Sequence, residues 1–245
     1  MTDQSVPFWV IIPAAGLGQR MQSEIPKQYL KINNKTVIEH TLECFINHPK
    51  IAGVVVVKHS EDSYWDQLHY KFQTTPVFTT EGGVDRNDSV LQGIKYLMNI
   101  KQLAADTWVM VHDAARPCLP KTDIDALLSI RQSDCIGGIL ASPVRDTMKR
   151  VSKINEDQSD SLMVSHTESR EGLWHALTPQ MFRLSKLFEA IRYCQNNNIM
   201  VTDDCSAMAA LGLNPIIVEV SHNNIKVTYA DDIALASFFI KQNNN

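Results

Sequence analysis

The 245-residue sequence has no excess of positive charge: 23 Lys and Arg stand against 27 Asp and Glu, a formal net charge of -4. Nucleic acid or an anionic membrane surface would meet no global attraction, so a phosphate-bearing ligand has to be held by a local cluster of cations. Long apolar runs are missing too. The most apolar stretch, residues 51–57, falls far short of the roughly 20 residues that span a bilayer. Met1 to Phe8 carries Asp3 and has neither a basic patch nor an apolar segment, so it lacks the form of a secretory signal, and a cytoplasmic protein is expected. The five cysteines, Cys44, Cys118, Cys135, Cys194 and Cys205, are odd in number, scattered and without C-x-x-C spacing, and read as reduced structural thiols. There is no internal repeat and no linker. With 44% hydrophobic and 20% charged residues, the composition is that of an ordinary folded protein, and one domain over residues 1–245 is expected.

What is present is a rhythm of strand, loop and helix, which predicts an α/β fold with a mostly parallel sheet and helices on both faces. Strands are expected at residues 8–12, 51–57, 77–80, 108–112, 136–141 and 215–220. Helices are expected from Thr36, where Thr36 and Glu39 have the form of a capping box, at 61–70, after residue 87 with Val90, Leu91, Ile94, Leu97 and Met98 on one face, and at 123–131, 184–194, 203–211 and 231–241. Between them, 144–151 and 162–168 read as two strands of a protruding hairpin arm. Such an arm cannot bury its own apolar face, so a homodimer contact over about residues 144–171 is expected rather than a loose insertion.

The chemistry-bearing residues gather at strand ends. Pro13, Ala14, Ala15, Gly16, Leu17 and Gly18 follow the first strand, and small residues there let backbone N–H groups approach an anion. The third glycine of a dinucleotide fingerprint is absent, as is the Gly-Lys-Ser/Thr of a P-loop. Instead, Arg20 and Lys27 add two cations within one short segment. A flat base and ribose can lie against Ala14 and Ala15, with Gly82, Gly83 and Ser89 as the opposite side. Arg86 and Asp88 either pin that turn or meet the ligand. Asp113 sits just past a buried strand, where a carboxylate can bond a ribose hydroxyl or a magnesium-bound water. Arg116 can meet a phosphate with its planar fork, or pair with Asp113. Thr147, Arg145, Lys149, Arg150 and Arg170 make the arm rich in cations, with Arg170 in a segment apolar enough to be packed. Trp174 and His175 read as core. Alternation in Ile225, Lys226 and Val227 buries the two apolar side chains and turns the lysine the other way.

Five motifs in order, Pro13-Ala14-Ala15-Gly16-x-Gly18-x-Arg20-Met21, Pro26-Lys27-Gln28-Tyr29, Val111-His112-Asp113-Ala114-Ala115-Arg116-Pro117, Pro143-Val144-Arg145-Asp146-Thr147-Met148-Lys149 and Asn224-Ile225-Lys226-Val227-Thr228, resemble the 2-C-methyl-D-erythritol 4-phosphate cytidylyltransferases. The resemblance implies a Rossmann-like nucleotidyltransferase fold, a homodimer built through the arm, and CTP with magnesium or another divalent cation as the nucleotide substrate. It implies that Arg20 and Lys27 stabilise charge on the triphosphate, that Ala14, Ala15, Gly83 and Ser89 surround cytosine, and that Asp113 and Ala114 contact ribose. Arg116, Thr147 and Arg170 would hold the methylerythritol phosphate, some across the dimer, with Lys226 near both substrates. The single-activity form is expected, without a second catalytic domain. Two departures stand out: Val84 occupies a position where similar sequences often carry an acid, which leaves backbone carbonyls to recognise the cytosine amino group there, and Asn223 replaces a common aspartate beside the Asn-Ile-Lys run. Another polyol phosphate such as ribitol 5-phosphate is the alternative acceptor, and a CTP-binding module without catalysis is the alternative class.

Overall fold

The computed structural model describes residues 7–16, 25–68, 75–132, 135–153 and 162–243. Strand β1 (Phe8–Pro13) is apolar throughout and buried at five of its six positions. A single 3-10 turn at Lys27–Tyr29 leads through two short strands, β2 (Lys31–Ile32) and β3 (Lys35–Thr36), into α1 (Val37–Ile46). The capping box is formed: the Glu39 N–H donates to the Thr36 hydroxyl at 3.3 Å, and the Thr36 N–H donates to the Glu39 carboxylate at 2.7 Å. β4 (Ile51–Lys58) lies parallel to β1. The helix expected at 61–70 is absent over its described part, where only a 3-10 turn at Trp65–Gln67 forms. The Asp62 carboxylate accepts from the N–H groups of Tyr64 and Trp65 and from the Tyr29 hydroxyl, and such local bonds compete with a helical ladder.

β5 (Val77–Glu81), α2 (Arg86–Lys95) with a π turn at its end, β6 (Trp108–Val111), α3 (Lys121–Ser129) and β7 (Gly137–Pro143) follow as expected. The arm is β8 (Lys149–Lys153) paired antiparallel with β9 (Leu162–Thr167). Its first strand begins at Lys149 rather than Val144, because residues 144–148 find, among the described residues, no ladder partner beyond the Val144 N–H on the Leu173 carbonyl and the Glu168 N–H on the Met148 carbonyl. The chain closes with β10 (Trp174–Arg183), α4 (Leu184–Asn196), α5 (Asp204–Ala210), β11 (Ile216–Glu219) and α6 (Asp232–Asn243).

Seven strands make the central sheet in the order β11-β7-β10-β6-β1-β4-β5. All neighbours are parallel except β10, which runs antiparallel between β6 and β7. This strand was not legible from the sequence. Pro179 sits within it, and proline in a central strand argues against the assignment; the register with β7 shifts between Ala176 and Gln180, and that irregularity accommodates the ring. Alternation along β1 sends Phe8, Val10 and Ile12 to a core with α1 and α3, and Trp9 and Ile11 to a second core with α2 and α4. Layers on both faces fix the sheet, so loops at its carboxyl edge are held from two sides.

Candidate active site

The carboxyl ends of β1 and β6 open onto one cleft, where open α/β sheets hold their ligands. Pro13, Ala14, Ala15 and Gly16 line it beyond β1, and Asp113, Ala114 and Ala115 beyond β6. Gln28 ties the first loop: its Nε2 donates to the Ala14 carbonyl at 2.9 Å and to the Gly16 carbonyl at 3.2 Å. Thr41 on α1 ties the second, donating to the Ala114 carbonyl at 2.9 Å. The opposite wall carries Gly83, Val84, Asp85, Arg86 and Ser89. A Cβ at Gly82 would lie 2.5 Å from the Ala15 Cβ, so only glycine lets these walls approach. The Ser89 hydroxyl accepts from the Gly83 N–H at 3.3 Å and donates to the Asp85 carbonyl at 2.9 Å. Asp85 caps α2, and Asp88 accepts from Gln195 on α4 at 2.7 Å.

Asp113 is the electrostatic centre. Arg86 Nε donates to its Oδ1 at 3.1 Å, Lys226 Nζ to its Oδ2 at 2.7 Å, and Arg116 Nε stands 3.7 Å from the same oxygen. Burial alone would raise this carboxyl, but Arg86, Lys226 and Arg116 together hold it well below the usual carboxylate range. Arg86 also donates through Nη2 to Asp204 Oδ2 at 2.9 Å. Its own burial opposes charge, yet Asp204 and Asp113 keep the guanidinium firmly protonated. Three cations thus face two carboxylates, and Lys27 adds a further cation to the lining. The surplus is what an anionic ligand requires.

Behind Asp113 runs a closed ring of hydrogen bonds. Thr178 and His112 Nδ1 lie 3.2 Å apart, His112 Nε2 meets the Arg116 carbonyl at 3.0 Å, Arg116 Nη1 donates to the Asn224 carbonyl at 2.7 Å, and Asn224 Nδ2 donates to the Thr178 carbonyl at 2.6 Å. The Asp113 N–H donates into this ring at the Thr178 hydroxyl, 3.1 Å away. Burial pushes His112 down to about 4, so it is neutral at neutral pH, accepts from Thr178 and donates to Arg116. Gln180 on the same strand orients Asp203 at 2.8 Å and so fixes the start of α5, which carries Asp204.

Of the predicted residues, Pro13, Ala14, Ala15, Gly16, Lys27, Gly83, Ser89, Asp113, Ala114 and Lys226 share this cleft. Gly18 and Arg20 lie outside the described residues. Arg116 pairs with Asp113 and lines a second cavity, which Lys226 also lines. Thr147 and Arg170 stand exposed on and beside the arm and line neither cavity. Two expectations are corrected. Arg170 is not packed: its guanidinium donates to the Arg145 carbonyl, and Leu173 and Trp174 beside it are themselves exposed. Trp174 and His175 are not core, since β10 enters the interior only from Leu177 onward, and both line the second cavity. Arg86, for which the sequence offers both pinning and binding, pins by way of two carboxylates while lining the cleft. Gln28, His112, Thr178, Asp204 and Asn224 were missed as site-builders. Gln28, His112 and Asn224 sit inside the motifs, which is their one signal, whereas Thr178 and Asp204 have none. The five cysteines are free; burial pushes the Cys44 and Cys118 thiols up to about 12 and Cys205 up to about 11, which keeps them protonated.

The sequence model of one family, IspD, 2-C-methyl-D-erythritol 4-phosphate cytidylyltransferase, matches residues 8–242. The chain belongs to this family. A Vibrio parahaemolyticus protein named 2-C-methyl-D-erythritol 4-phosphate cytidylyltransferase is 47% identical over 242 residues, 99% of each chain. One of the same name from Alteromonas mediterranea is 46% identical over 95% of this chain and 92% of its own. The solved structure of the Francisella tularensis family member superposes with a TM-score of 0.78 at 37% identity, over 95% of this chain and 99% of that one. The chain therefore shares its α/β fold with a solved member of this family.

Proposed function

We propose that the cleft and its neighbouring cavity transfer a cytidylyl group from CTP to 2-C-methyl-D-erythritol 4-phosphate, giving 4-diphosphocytidyl-2-C-methyl-D-erythritol and pyrophosphate. The observation that carries this reading is the convergence of Arg86, Arg116 and Lys226 on Asp113 beside a lining of small residues. Cytosine lies between Ala14 and Ala15 on one wall and Gly83 and Ser89 on the other. The Val84 side chain is fully exposed there and carries no hydrogen-bonding group, which leaves backbone carbonyls to read the cytosine amino group. Asp113 and Ala114 meet the ribose, Arg20 and Lys27 the triphosphate, and Arg116 and Lys226 the acceptor phosphate.

The reaction needs no activated nucleophile. A phosphate monoester with second pKa about 6 is already largely dianionic at neutral pH. One of its oxygens attacks the α-phosphorus of CTP while the bond to pyrophosphate breaks. What opposes the step is repulsion between two anions and their alignment, and prearranged cations offset both. Lys226 lines both cavities, so it stands where the two substrates meet. For magnesium the donor set is sparse: no group of three or more His, Cys, Asp or Glu suited to a metal occurs among the described residues. Asp113 fits as an outer ligand through water, with triphosphate oxygens supplying the remainder; the bound ion would neutralise phosphate charge.

The same reading makes the chain one nucleotidyltransferase domain and a homodimer. Val151, Leu162, Met163 and Val164 are exposed on the arm, and a lone two-stranded sheet with such a face calls for a partner. Thr147 and Arg170 then reach the acceptor of the partner chain. We place the enzyme in the cytoplasm; among the described residues no helix is long and apolar enough to cross a membrane. Pyrophosphate release with CTP and magnesium, with methylerythritol phosphate and ribitol 5-phosphate in parallel, tests the assignment. Release only with the former is expected; release only with the latter would overturn the acceptor, and release with neither would overturn catalysis.

A further inference from the structure

The turn that carries Lys27 is tied to segments on two of its faces. Its backbone closes on itself, with the Tyr29 N–H on the Pro26 carbonyl at 2.8 Å and the Leu30 N–H on the Lys27 carbonyl at 3.2 Å. A 3-10 helix has three residues per turn, so Lys27, Gln28 and Tyr29 leave it in three directions. Lys27 lines the nucleotide cleft, Gln28 holds the Ala14 and Gly16 carbonyls, and Tyr29 reaches the segment after β4. There the Tyr29 hydroxyl donates to Asp62 Oδ2 at 2.5 Å, and its ring stacks on that of Tyr64 with centroids 5.2 Å apart. Asp62 Oδ1 accepts in turn from the N–H groups of Tyr64 at 3.0 Å and Trp65 at 3.2 Å. Tyr29 and Trp65 are both buried in the core that takes in Leu42 and Phe45 of α1, so the carboxylate is a fixed post beside the turn. Asp62 stands in none of the five motifs, and the reaction scheme does not use it.

We propose that Asp62 is a positioning residue for the cytidylyl transfer: through the Tyr29 hydroxyl it fixes the turn from which Lys27 enters the cleft. This rests on the reading that Lys27 meets the triphosphate. A lysine is a point charge on a flexible four-carbon stem, so the place of its ammonium depends on the backbone from which the stem starts. Stabilising charge in a transition state requires that place to be set beforehand, and a displacement of about 1 Å can cost up to about 100-fold in rate. A tie through Gln28 alone would let the turn roll about that contact. The Tyr29–Asp62 bond, on another face, opposes the roll.

Steady-state pyrophosphate release by the full chain tests this, with CTP varied at saturating acceptor. Tyr29→Phe keeps the ring and its stacking and removes only the hydroxyl. It is expected to lower kcat about tenfold, a fraction of the loss on removing Lys27 itself, with the CTP KM changed less than about threefold. Asp62→Ala is expected to match it. Asp62→Asn is expected to fall only about twofold, since its Oδ1 still accepts from the two N–H groups while its amide donates to the Tyr29 hydroxyl. The reading that separates positioning from general support of the fold is the double variant: in a Lys27→Ala background, Tyr29→Phe is expected to lower kcat less than about twofold further, because the group it positions is gone. An unchanged kcat in Tyr29→Phe, or a further tenfold loss in the Lys27→Ala background, would overturn the proposal. If Tyr29→Phe does not fold, Asp62→Ala is read in the same way against the same two outcomes. An unchanged kcat in Lys27→Ala alone would sink the underlying reading instead, and that variant tells the two failures apart.

Discussion

The cleft and the arm are built on opposite terms. In the cleft every cationic group around Asp113 is tied to a buried carboxylate or carbonyl, and Asp113 and Asp204 are 8% and 0% exposed. On the arm, Arg150 pairs with Glu168 and Lys149 with Thr167 in the open, and Leu162, Met163 and Val164 face outward. Exposed pairs of this kind contribute little to stability, so the arm is held by its ladder and by whatever covers it. On the homodimer reading proposed above, one chain would hold a prearranged nucleotide half, and the arm of another would complete the acceptor half. Charge around Asp113 is buried and pinned, whereas the cations of the arm stay on long exposed side chains.

The cleft side of this comparison breaks most severely at Arg86. Arg86→Ala leaves the Asp204 carboxylate buried without its cation, and the expected loss is about 3 to 5 kcal/mol in denaturant unfolding; a loss below about 1 kcal/mol would contradict the pinning role. Lys27→Ala is expected to lower kcat by roughly 100- to 1000-fold, the scale of a prearranged electrostatic group, without loss of fold. An unchanged kcat would remove Lys27 from the mechanism.

Acidification probes the same buried half. His112 is held neutral down to about 4 in the folded chain, whereas the unfolded chain takes up a proton near 6.5. Stability attributable to it is thus present above 6.5 and lost as pH falls toward 4, by at most about 3 kcal/mol. Asp113 acts in the same direction but further down: its depressed value gives stability present above the ordinary carboxylate range and lost only in stronger acid. Chemical denaturation at a series of pH values, with His112→Asn alongside, checks this; a parent profile flat between 6.5 and 4 would refute it. The arm side yields a smaller and more selective effect. Arg170→Ala is expected to raise the KM for methylerythritol phosphate about tenfold while changing that for CTP less than about twofold, as loss of one charged contact to the acceptor would. Equal rises would make Arg170 structural.

Sequence patterning made the cleft legible because its lining comes from short segments directly after strands: Pro13 to Gly16 and Asp113 to Arg116 each follow an apolar, buried run, and Gly83 to Ser89 follow the more polar β5. Lys226 was legible through the alternation of Ile225 and Val227, of which Val227 is fully buried. What stayed hidden depends on contacts between distant segments. β10 carries Pro179 and so reads as a non-strand, yet it supplies Thr178 and Gln180, the residues that tie Asp113 and α5 into one unit. Asp204 reads as a helix start, and only the fold brings it 2.9 Å from Arg86, 118 residues earlier. Trp174 misled for a related reason: a large aromatic side chain suggests a core, but its position at the open end of β10 puts it on a cavity wall.

The proposed division of one site between two chains is tested most directly by pairing defects. Lys27→Ala damages the nucleotide half and Arg170→Ala the acceptor half, so each alone gives a weakly active dimer. Co-expressed, half of the dimers are mixed, and in each of these one site combines an intact cleft with an intact arm. The account predicts recovery to about a quarter of the parent activity per site at limiting acceptor. Activity no higher than the mean of the two single variants would contradict it, and would place the arm beside the cleft of its own chain.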